Sequence, residues 1–397
     1  MAIDVYPEAT QGLKETIELS SELIDDLEYP RVKAWLNQRS ESGGQGHVIG
    51  HFQVNFPEEI VHAAGMFPLA VMGAGDKLEA KRADSHIGSF ICSICRTSLE
   101  LGLSSRLDFM DAFYTQPICD VARNLAGIWG RNFPNQTAEI LYLPQNANSK
   151  HAVAYLRDEY ARLRAELERI AGRPIEEEDL RRSIAVYNEN RRLIRQLYSI
   201  KRETPWLLSA SEAYVLVRSG SVMPREEHNE MLKSVLEAIP ERGGRRQDRV
   251  RVVFEGGFCE QPPLEMLQLI EESCYIVDDD LMIGMRWLVD DVPETGDPLH
   301  ALAESYIHRS SYSCVQHDAR KPKEEMLLQR TSNAHAEAVV LAAAKMCEPG
   351  LDEQVAYQQT LEARGIPFLL LEFEEKMTGF ERLRMEIETF VESILFD

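Results

Sequence analysis

The most constraining feature of the sequence is a repeated alternation of short apolar stretches with helix-forming segments. In the first half, strand-like stretches are HVIGHFQV, FPLAVMG, LDFMDAFYT and AEILYLP. Pro57 and Glu58 open a helix between the first two, because proline suits the first helical turn and an acid suits the positive end of the helix. Strands that alternate with helices in this way predict a parallel sheet with crossover helices.

A second series follows after residue 245, with strand-like stretches VRVVFEGG, CYIVDDD and IPFLLLEFE. The segment AEAVVLAAAK suits either a helix or a strand, and we favour a strand over its first half because a parallel neighbour follows one crossover later. The fold class predicted is therefore α/β, with two flavodoxin-like parallel-sheet domains joined by a helical segment.

The domain prediction divides the chain into four parts. Residues 1–40 form N-terminal helices interrupted at Pro30, and residues 41–150 form the first α/β domain. Residues 151–245 are dominated by charged amphipathic helices, and residues 246–397 form the second α/β domain.

Charge limits the kinds of partner. The chain carries 43 Lys and Arg against 65 Asp and Glu, a formal net charge of −22. This field repels phosphate backbones and anionic membranes, so neither nucleic acid nor a membrane is expected as a partner. An anionic cofactor would need a local basic cluster, for which Lys81–Arg82 and Arg242–Arg246 are candidates, although solvated surface charge is the commoner role. With no secretory signal or membrane span in the sequence, we expect a cytoplasmic protein with reduced cysteines.

Several common motifs are absent. The sequence has no Gly-Lys-Ser or Gly-Lys-Thr of a phosphate-binding loop and no zinc-protease motif, and GAGDKL at 73–78 lacks the third glycine of a dinucleotide fingerprint. Any ATP that the reaction needs is then expected to be hydrolysed by another subunit.

The cysteines carry the most chemical information. Cys92 and Cys95 form a C-x-x-C just after an apolar, strand-like stretch, and Cys119 and Cys347 each lie between a predicted strand and a predicted helix. Carboxyl ends of parallel strands meet at one edge of a sheet, and a helix that begins after each cysteine stabilises a thiolate. Three such thiolates suit an iron–sulfur cubane with one open iron site.

Two other interpretations stay open at this point. A structural zinc ion usually takes two close pairs of ligands, whereas only one pair is present here. Cysteine is also a common buried apolar residue, and Cys274, at the start of a predicted strand, fits that role.

From about Gly46 onward the sequence resembles the 2-hydroxyacyl-CoA dehydratase and benzoyl-CoA reductase family. The similarity is carried by GHFQVNFPEEIVHAAGMFPLAVMG, ICSICRTSLELG, QPICDVARN, EEDLRRSIAVYNENRRLIRQLY, KMCEPGLDEQVAYQQTLEARGIPFLLLEFE and ERLRMEIETFVE. An Asn-x-x-Arg helix and a Cys-Glu-Pro turn are the more specific elements. The residues around the first two cysteine motifs favour the reductase branch.

The resemblance implies that Cys92, Cys119 and Cys347 hold a [4Fe–4S] cluster, or a double-cubane cluster shared with a partner subunit. Cys95 departs from the pattern and is a fourth ligand, a substitute for Cys92 or a buried neighbour. Implied partners are a related protein that also bears a cluster, ATP-hydrolysing activator subunits with their own cluster, a ferredoxin, and an acyl-CoA substrate such as benzoyl-CoA.

The reaction implied is delivery of single low-potential electrons to the ring of benzoyl-CoA, which gives a cyclic diene. Alternatives are a 2-hydroxyacyl-CoA dehydratase subunit, a relay or scaffold subunit whose partner holds the substrate, and a cluster-free paralogue. Candidate proton donors are His308 and His317, which flank Cys314, and His51, which lies near the predicted helix start at Pro57 and Glu58. A structural role is the commoner one for each histidine, and Glu58 is interpreted as a helix-start residue.

Overall fold

The structure is a computed structural model of the 397-residue chain. It describes residues 11–52, 55–88, 90–256, 260–281, 290–310, 318, 320–374, 376–377 and 379–396. Cys259, Cys314 and His317 lie outside this part of the chain.

The first half contains two N-terminal helices and then an alternation of strands and helices. The elements are α1 (Gln11–Asp25), α2 (Pro30–Glu41), β1 (Val48–Phe52), α3 (Glu58–Ala63), β2 (Phe67–Val71), α4 (Ser93–Leu103), β3 (Ala112–Thr115), α5 (Asp120–Asn132) and β4 (Thr137–Ile140). Pro30 begins α2, where its missing N–H has no cost to the helix.

A run of helices connects the two sheets. They are α6 (Ala152–Ala171), α7 (Glu177–Glu203), α8 (Ala210–Ser219) and α9 (Arg225–Ala238). Gly172 ends α6 in the left-handed conformation, and Glu176 with Asp179 forms a capping box at the start of α7.

The second half returns to strands and helices. Its elements are β5 (Val250–Glu255), α10 (Leu264–Glu271), β6 (Cys274–Asp279), α11 (Pro298–Glu304), α12 (Lys323–Asn333), β7 (Ala338–Ala344), α13 (Glu348–Arg364), β8 (Phe368–Phe373) and α14 (Glu381–Phe396). The ambiguous segment is strand over all of β7 rather than over its first half alone. Every residue of β7 is buried between two neighbouring strands, and this explains why it lacks an alternating pattern.

The two sheets have the same topology. Their strand orders are β2-β1-β3-β4 and β6-β5-β7-β8, and all pairings are parallel. Both correspond to the first four strands of the flavodoxin order, which confirms the predicted fold class. In each sheet the order reverses between the first and third strands, which creates a crevice beyond their carboxyl ends. The domain boundaries themselves stay a prediction.

The main apolar core joins the two sheets. It contains Phe52 and Phe113 from the first sheet and Phe254 and Val340 from the second. A separate core lies on the other face of the first sheet, where α6 and α7 pack. Because the two sheets share one core, helices that follow strands of different sheets, such as α5 after β3 and α13 after β7, begin close to one another.

Candidate functional site

Three cysteines occupy equivalent positions, each at the residue that precedes a helix. Cys92 is the N-cap of α4, Cys119 that of α5 and Cys347 that of α13. The Cys119 sulfur accepts a hydrogen bond from the Ala122 N–H at 3.4 Å. The first turn of a helix presents unpaired N–H groups and partial positive charge, so each position favours a sulfur that bears negative charge.

The strand context is confirmed for two of the three. Cys119 follows β3 and Cys347 follows β7, the third strand of each sheet. Before Cys92, the described residues form a short 3₁₀ turn, Ala83–Ser85, and then loop rather than strand. The expectation of a strand before Cys92 was wrong. A short apolar run can pack against the core as a loop as well as in a strand, so its composition alone does not predict a strand.

The cysteines meet at one cavity of about 390 Å³ between the two sheet domains. Phe52 and Ile118 line its inner wall, and its remaining lining consists of Phe90, Cys92, Cys95, Cys119, Val121, Met346, Cys347, Glu348, Pro349, Leu351 and Asp352. Phe90 is 84% exposed and Met346 is 53% exposed. The mouth is therefore apolar and open, whereas the floor carries the sulfur atoms.

Burial and neighbouring charge set the pKa values of the cavity thiols. Burial raises the pKa of the Cys347 thiol to about 12, and negative charge on Cys92, Cys119 and Glu260 adds to that effect. Burial also raises the pKa of the Cys119 thiol. At Cys92 the hydrogen bond from the Cys95 side chain lowers the thiol pKa, against the opposing effects of burial and Glu260.

The cysteines face the cavity from separate elements. Among the described residues, no three His, Cys, Asp or Glu side chains are grouped closely enough to hold a single metal ion. A zinc ion needs thiolate sulfurs at about 2.3 Å from the metal. Cys92, Cys119 and Cys347 line one cavity from three helix starts, and their thiolates are the ligand type that an iron–sulfur cluster would use.

A buried carboxylate from the second half of the chain contacts the start of α4, directly after Cys92. Glu260 is 1% exposed. It accepts hydrogen bonds from the Ser93 hydroxyl at 2.5 Å and from the Ile94 N–H at 3.3 Å. It thereby satisfies the first turn of α4 from across the domain boundary.

Comparison with known proteins decides the family. Residues 53–394 match the family described as 2-hydroxyglutaryl-CoA dehydratase, D-component. This chain belongs to that dehydratase D-component family.

Relatives in the D-component family act on different thioesters. The chain is 38% identical to a subunit of the benzoyl-CoA reductase of Thauera aromatica, over 94% of its own length and 96% of the relative. It is 30% identical to the beta subunit of lactoyl-CoA dehydratase of Anaerotignum propionicum, over 94% and 98% of the two chains. It is 26% identical to the beta subunit of (R)-2-hydroxyglutaryl-CoA dehydratase of Acidaminococcus fermentans, over 87% and 92%. These relatives are all enzyme subunits, so this D-component chain is an enzyme subunit that requires partner subunits.

One motif that supported the resemblance proves to be structural. Asn188 and Arg191 of the Asn-x-x-Arg helix are both buried in α7. Arg191 donates to Glu59 of α3 and to the side-chain oxygen of Asn188, and the Asn188 amide donates to the Val292 carbonyl at 2.8 Å. In this D-component protein the motif ties the helical segment to both halves of the chain.

Neither His51 nor His308 lines the cysteine cavity. His51 is buried on β1, stacks on Phe56 at 4.5 Å and faces the sheet side opposite to Phe52. Its Nε2 atom lies 3.2 Å from Glu58 Oε1. His308 is exposed, with Nδ1 3.3 Å from Arg320, and partial burial and that guanidinium lower its pKa. His317 is outside the described residues, so the proton-donor role of all three histidines stays a prediction.

Sequence reasoning missed the acidic groups of the cavity. Glu348 and Asp352 line it, and Glu260 accepts hydrogen bonds from the first turn of α4, beside Cys92. The Cys-Glu-Pro turn was the available signal for Glu348, since a residue directly after a helix-capping cysteine stays close to it. Glu260 had no signal, because it is distant from Cys92 in sequence. Among the basic clusters, Arg242 is buried and pairs with Glu212, and Lys81 pairs with Glu79.

No helix in the described ranges is long and apolar enough to cross a bilayer.

Proposed function

We propose that this chain is the iron–sulfur subunit of an ATP-dependent benzoyl-CoA reductase in the cytoplasm. The observation that carries the proposal is the convergence of Cys92, Cys119 and Cys347, each at a helix N-terminus, on one cavity. The 38% identity to a benzoyl-CoA reductase subunit over nearly the whole chain favours this substrate over a hydroxyacyl thioester.

In this proposal the three cysteines hold a [4Fe–4S] cluster, or half of a double-cubane cluster shared with a related subunit. When bound, such a cluster supplies single electrons of low potential to the aromatic ring, and the product is a cyclic diene thioester. Electrons come from a ferredoxin through activator subunits that hydrolyse ATP.

The chain's own residues would hold and shield the group. Three helix N-termini favour thiolates, whereas burial raises the pKa of the Cys119 and Cys347 thiols, so a bound metal would have to displace their protons. Phe52, Ile118 and Val121 give the cavity an apolar wall. Glu348 and Asp352 join His51, His308 and His317 as candidates for proton delivery, and their position at the cavity makes them the stronger pair.

The test is the iron and acid-labile sulfide content of the chain, purified without oxygen together with its partner subunits. We expect about four irons per chain. Cys92→Ala, Cys119→Ala and Cys347→Ala should each lose most of this iron. Cys274→Ala is the matched control, because Cys274 is buried at the start of β6 and does not line the cavity. Absence of iron, or a single zinc ion, would contradict the proposal.

A second candidate is a subunit of a (R)-2-hydroxyacyl-CoA dehydratase, supported by the matched family and the 30% identity to a lactoyl-CoA dehydratase subunit. A relay or scaffold role, with the substrate on the partner, is the third. Benzoyl-CoA-dependent ATP hydrolysis by the assembled complex supports the reductase. Reversible loss of water from a 2-hydroxyacyl thioester supports the dehydratase.

A further inference from the structure

Cys95 is a fourth thiol at the cavity that the proposed function leaves unused. It is 1% exposed, is the third residue of α4, and lies one helical turn after Cys92. Its side chain hydrogen-bonds the Cys92 sulfur. Both residues line the cavity and both are thiols in the structure.

The geometry of this corner suits a disulfide. Cys92 has φ −55° and ψ 145°, an extended N-cap conformation that turns its side chain over the first turn of the helix. Helix geometry places the Cα atoms of residues three apart about 5 Å from each other, and a disulfide joins Cα atoms about 4.4–6.8 Å apart. A C-x-x-C that opens a helix in an α/β fold is also the arrangement of thiol–disulfide exchange proteins.

The other two corners lack such a partner. Three residues after Cys119 stands Ala122, and three residues after Cys347 stands Gly350. The two cysteines are otherwise placed like Cys92, at N-caps around the same cavity. Cys95 therefore gives one corner a property that cluster binding by three thiolates does not require.

We propose that Cys92 and Cys95 form a reversible disulfide when the cluster is absent, and that this disulfide protects the ligand Cys92 from irreversible oxidation. The proposal rests on the proposed function in taking Cys92 as a cluster ligand. Higher oxidation of a thiol to sulfinic or sulfonic acid is not reversed by ordinary thiols, whereas a disulfide is.

The reaction needs an external disulfide as the oxidant. The Cys92 thiolate attacks one sulfur of RSSR, a Cys92–SR bond forms, and RS⁻ leaves and takes a proton. The Cys95 thiolate then attacks the Cys92 sulfur, the Cys92–Cys95 bond forms, and the second RS⁻ leaves and takes a proton. The sum is two protein thiols plus RSSR, giving one protein disulfide plus two RSH, with the protein oxidised by two electrons.

Access sets this order of attack. Cys92 is partly exposed to a cavity whose mouth is open, whereas Cys95 is buried beneath it. A small oxidant therefore reaches Cys92 first, and Cys95 resolves the mixed disulfide. An uncharged oxidant is the suitable probe, because Glu260 places negative charge at this corner.

The experiment uses the full chain, freed of iron by a chelator without oxygen and then treated with 2-hydroxyethyl disulfide. Trypsin places both cysteines in the peptide 83–96, whereas Cys119 falls in 107–123 and Cys347 in 346–364. We expect peptide 83–96 to lose the mass of two hydrogen atoms, and dithiothreitol to restore them. Cys274→Ser should behave as the natural chain does.

Cys95→Ser, with Cys95→Ala as a second replacement, should instead retain one hydroxyethylthio group on Cys92. After brief exposure to hydrogen peroxide, the sulfinic and sulfonic forms of Cys92 should rise several-fold over the natural chain. Cross-links between peptide 83–96 and the other two peptides, or an unchanged peptide 83–96, would overturn the proposal. Loss of iron in Cys95→Ser equal to that in Cys92→Ala would also overturn it, since Cys95 would then be a ligand.

The two proposals fail in distinguishable ways. If the purified complex contains no iron, the proposed function fails, whereas the mass of peptide 83–96 still reports on the disulfide. If the disulfide does not form, the iron content of the natural chain is unaffected.

Discussion

At the scale of single residues, Glu260 reaches the Cys92 side of the cavity from the second half of the chain. Its carboxylate is buried, caps the first turn of α4 through Ser93 and Ile94, and places negative charge beside Cys92 and Cys347. Charge near a cluster and hydrogen bonding around its ligands are the protein's means of setting a reduction potential.

Glu260→Gln keeps the shape of the side chain and removes its charge. If the chain holds the proposed cluster, we expect its reduction potential to rise by on the order of 50 mV, because the reduced cluster would no longer lie near a buried anion. A redox titration followed by electron paramagnetic resonance measures this, with iron content as a check on occupancy. Glu265→Gln, which removes an exposed acid nearby in sequence, should leave the potential unchanged. Equal shifts in both variants would argue against a specific effect of Glu260.

The buried histidine His228 makes the stability of the fold depend on pH. It is fully buried in α9, Nε2 donates to the Leu216 carbonyl at 2.9 Å, and Nδ1 accepts from Asn190 at 2.8 Å. Burial and the Arg225 charge lower its pKa to about 3. The unfolded chain has a histidine pKa of about 6.5 and so binds the proton first as pH falls.

The contribution of neutral His228 to the free energy of unfolding is therefore fully present above the histidine pKa of the unfolded chain. It is lost progressively as pH falls from about 6.5 toward 3. Between about pH 7.5 and 5.5 the loss is about 1.4 kcal/mol. His228→Gln should reduce the pH dependence of the free energy of unfolding by this amount, measured with urea at both pH values. The same dependence in both proteins would mean that His228 is not held neutral.

At the scale of elements, the end of β5 depends on one glycine. Gly256 has φ +129°, and a Cβ atom there would lie 1.6 Å from the Ala342 carbonyl oxygen of β7. Only glycine allows the two strands to approach so closely at the switch point of the second sheet.

Gly256→Ala must therefore separate β5 from β7 and strain its own backbone. We expect it to lower the free energy of unfolding by about 3 kcal/mol or more. Gly243→Ala is the control: its φ is +63° and no atom of the described residues would lie within 4 Å of the added carbon, so only a backbone cost of about 1 kcal/mol applies. Similar losses in urea unfolding for the two variants would contradict the close approach.

At the scale of the whole molecule, the buried pair Arg191–Glu59 links the first sheet domain to the helical segment. Both side chains are nearly inaccessible, 2% and 1% exposed. Their attraction does little more than offset their desolvation, but removal of one partner leaves the other charge buried and unpaired.

Arg191→Met should therefore lower the free energy of unfolding by about 3–5 kcal/mol, and adding Glu59→Leu should recover much of the loss. Arg192→Met is a neighbouring control, because Arg192 pairs with Asp291 at 2.6 Å near the surface, where such a pair contributes about 0–1 kcal/mol. Urea unfolding of these variants and of the natural chain tests this. No recovery in the double variant would indicate that Arg191 stabilises the fold through its other contacts.

The elements and the three cysteines could be predicted from local sequence. Strand stretches such as Phe67–Val71 and helices such as Ala152–Ala171 are patterns of apolar spacing and capping residues, which act within a few positions along the chain. The three cysteines were recognisable because each is followed by a local helix start, and the structure places them as N-caps.

How these pieces meet was evident only once the chain was folded. That Cys92 caps a helix after a loop, that Glu260 reaches its helix from the second domain, and that Arg191 pairs with Glu59 all depend on contacts between residues far apart in sequence. Such contacts form because one apolar core joins the two sheets. How the faces of the two sheets pack against each other depends on side chains far apart in sequence, so no short stretch of the chain predicts it. The same packing brings Cys347 to the cavity of Cys92 and Cys119 and leaves His51 on the far side of its sheet.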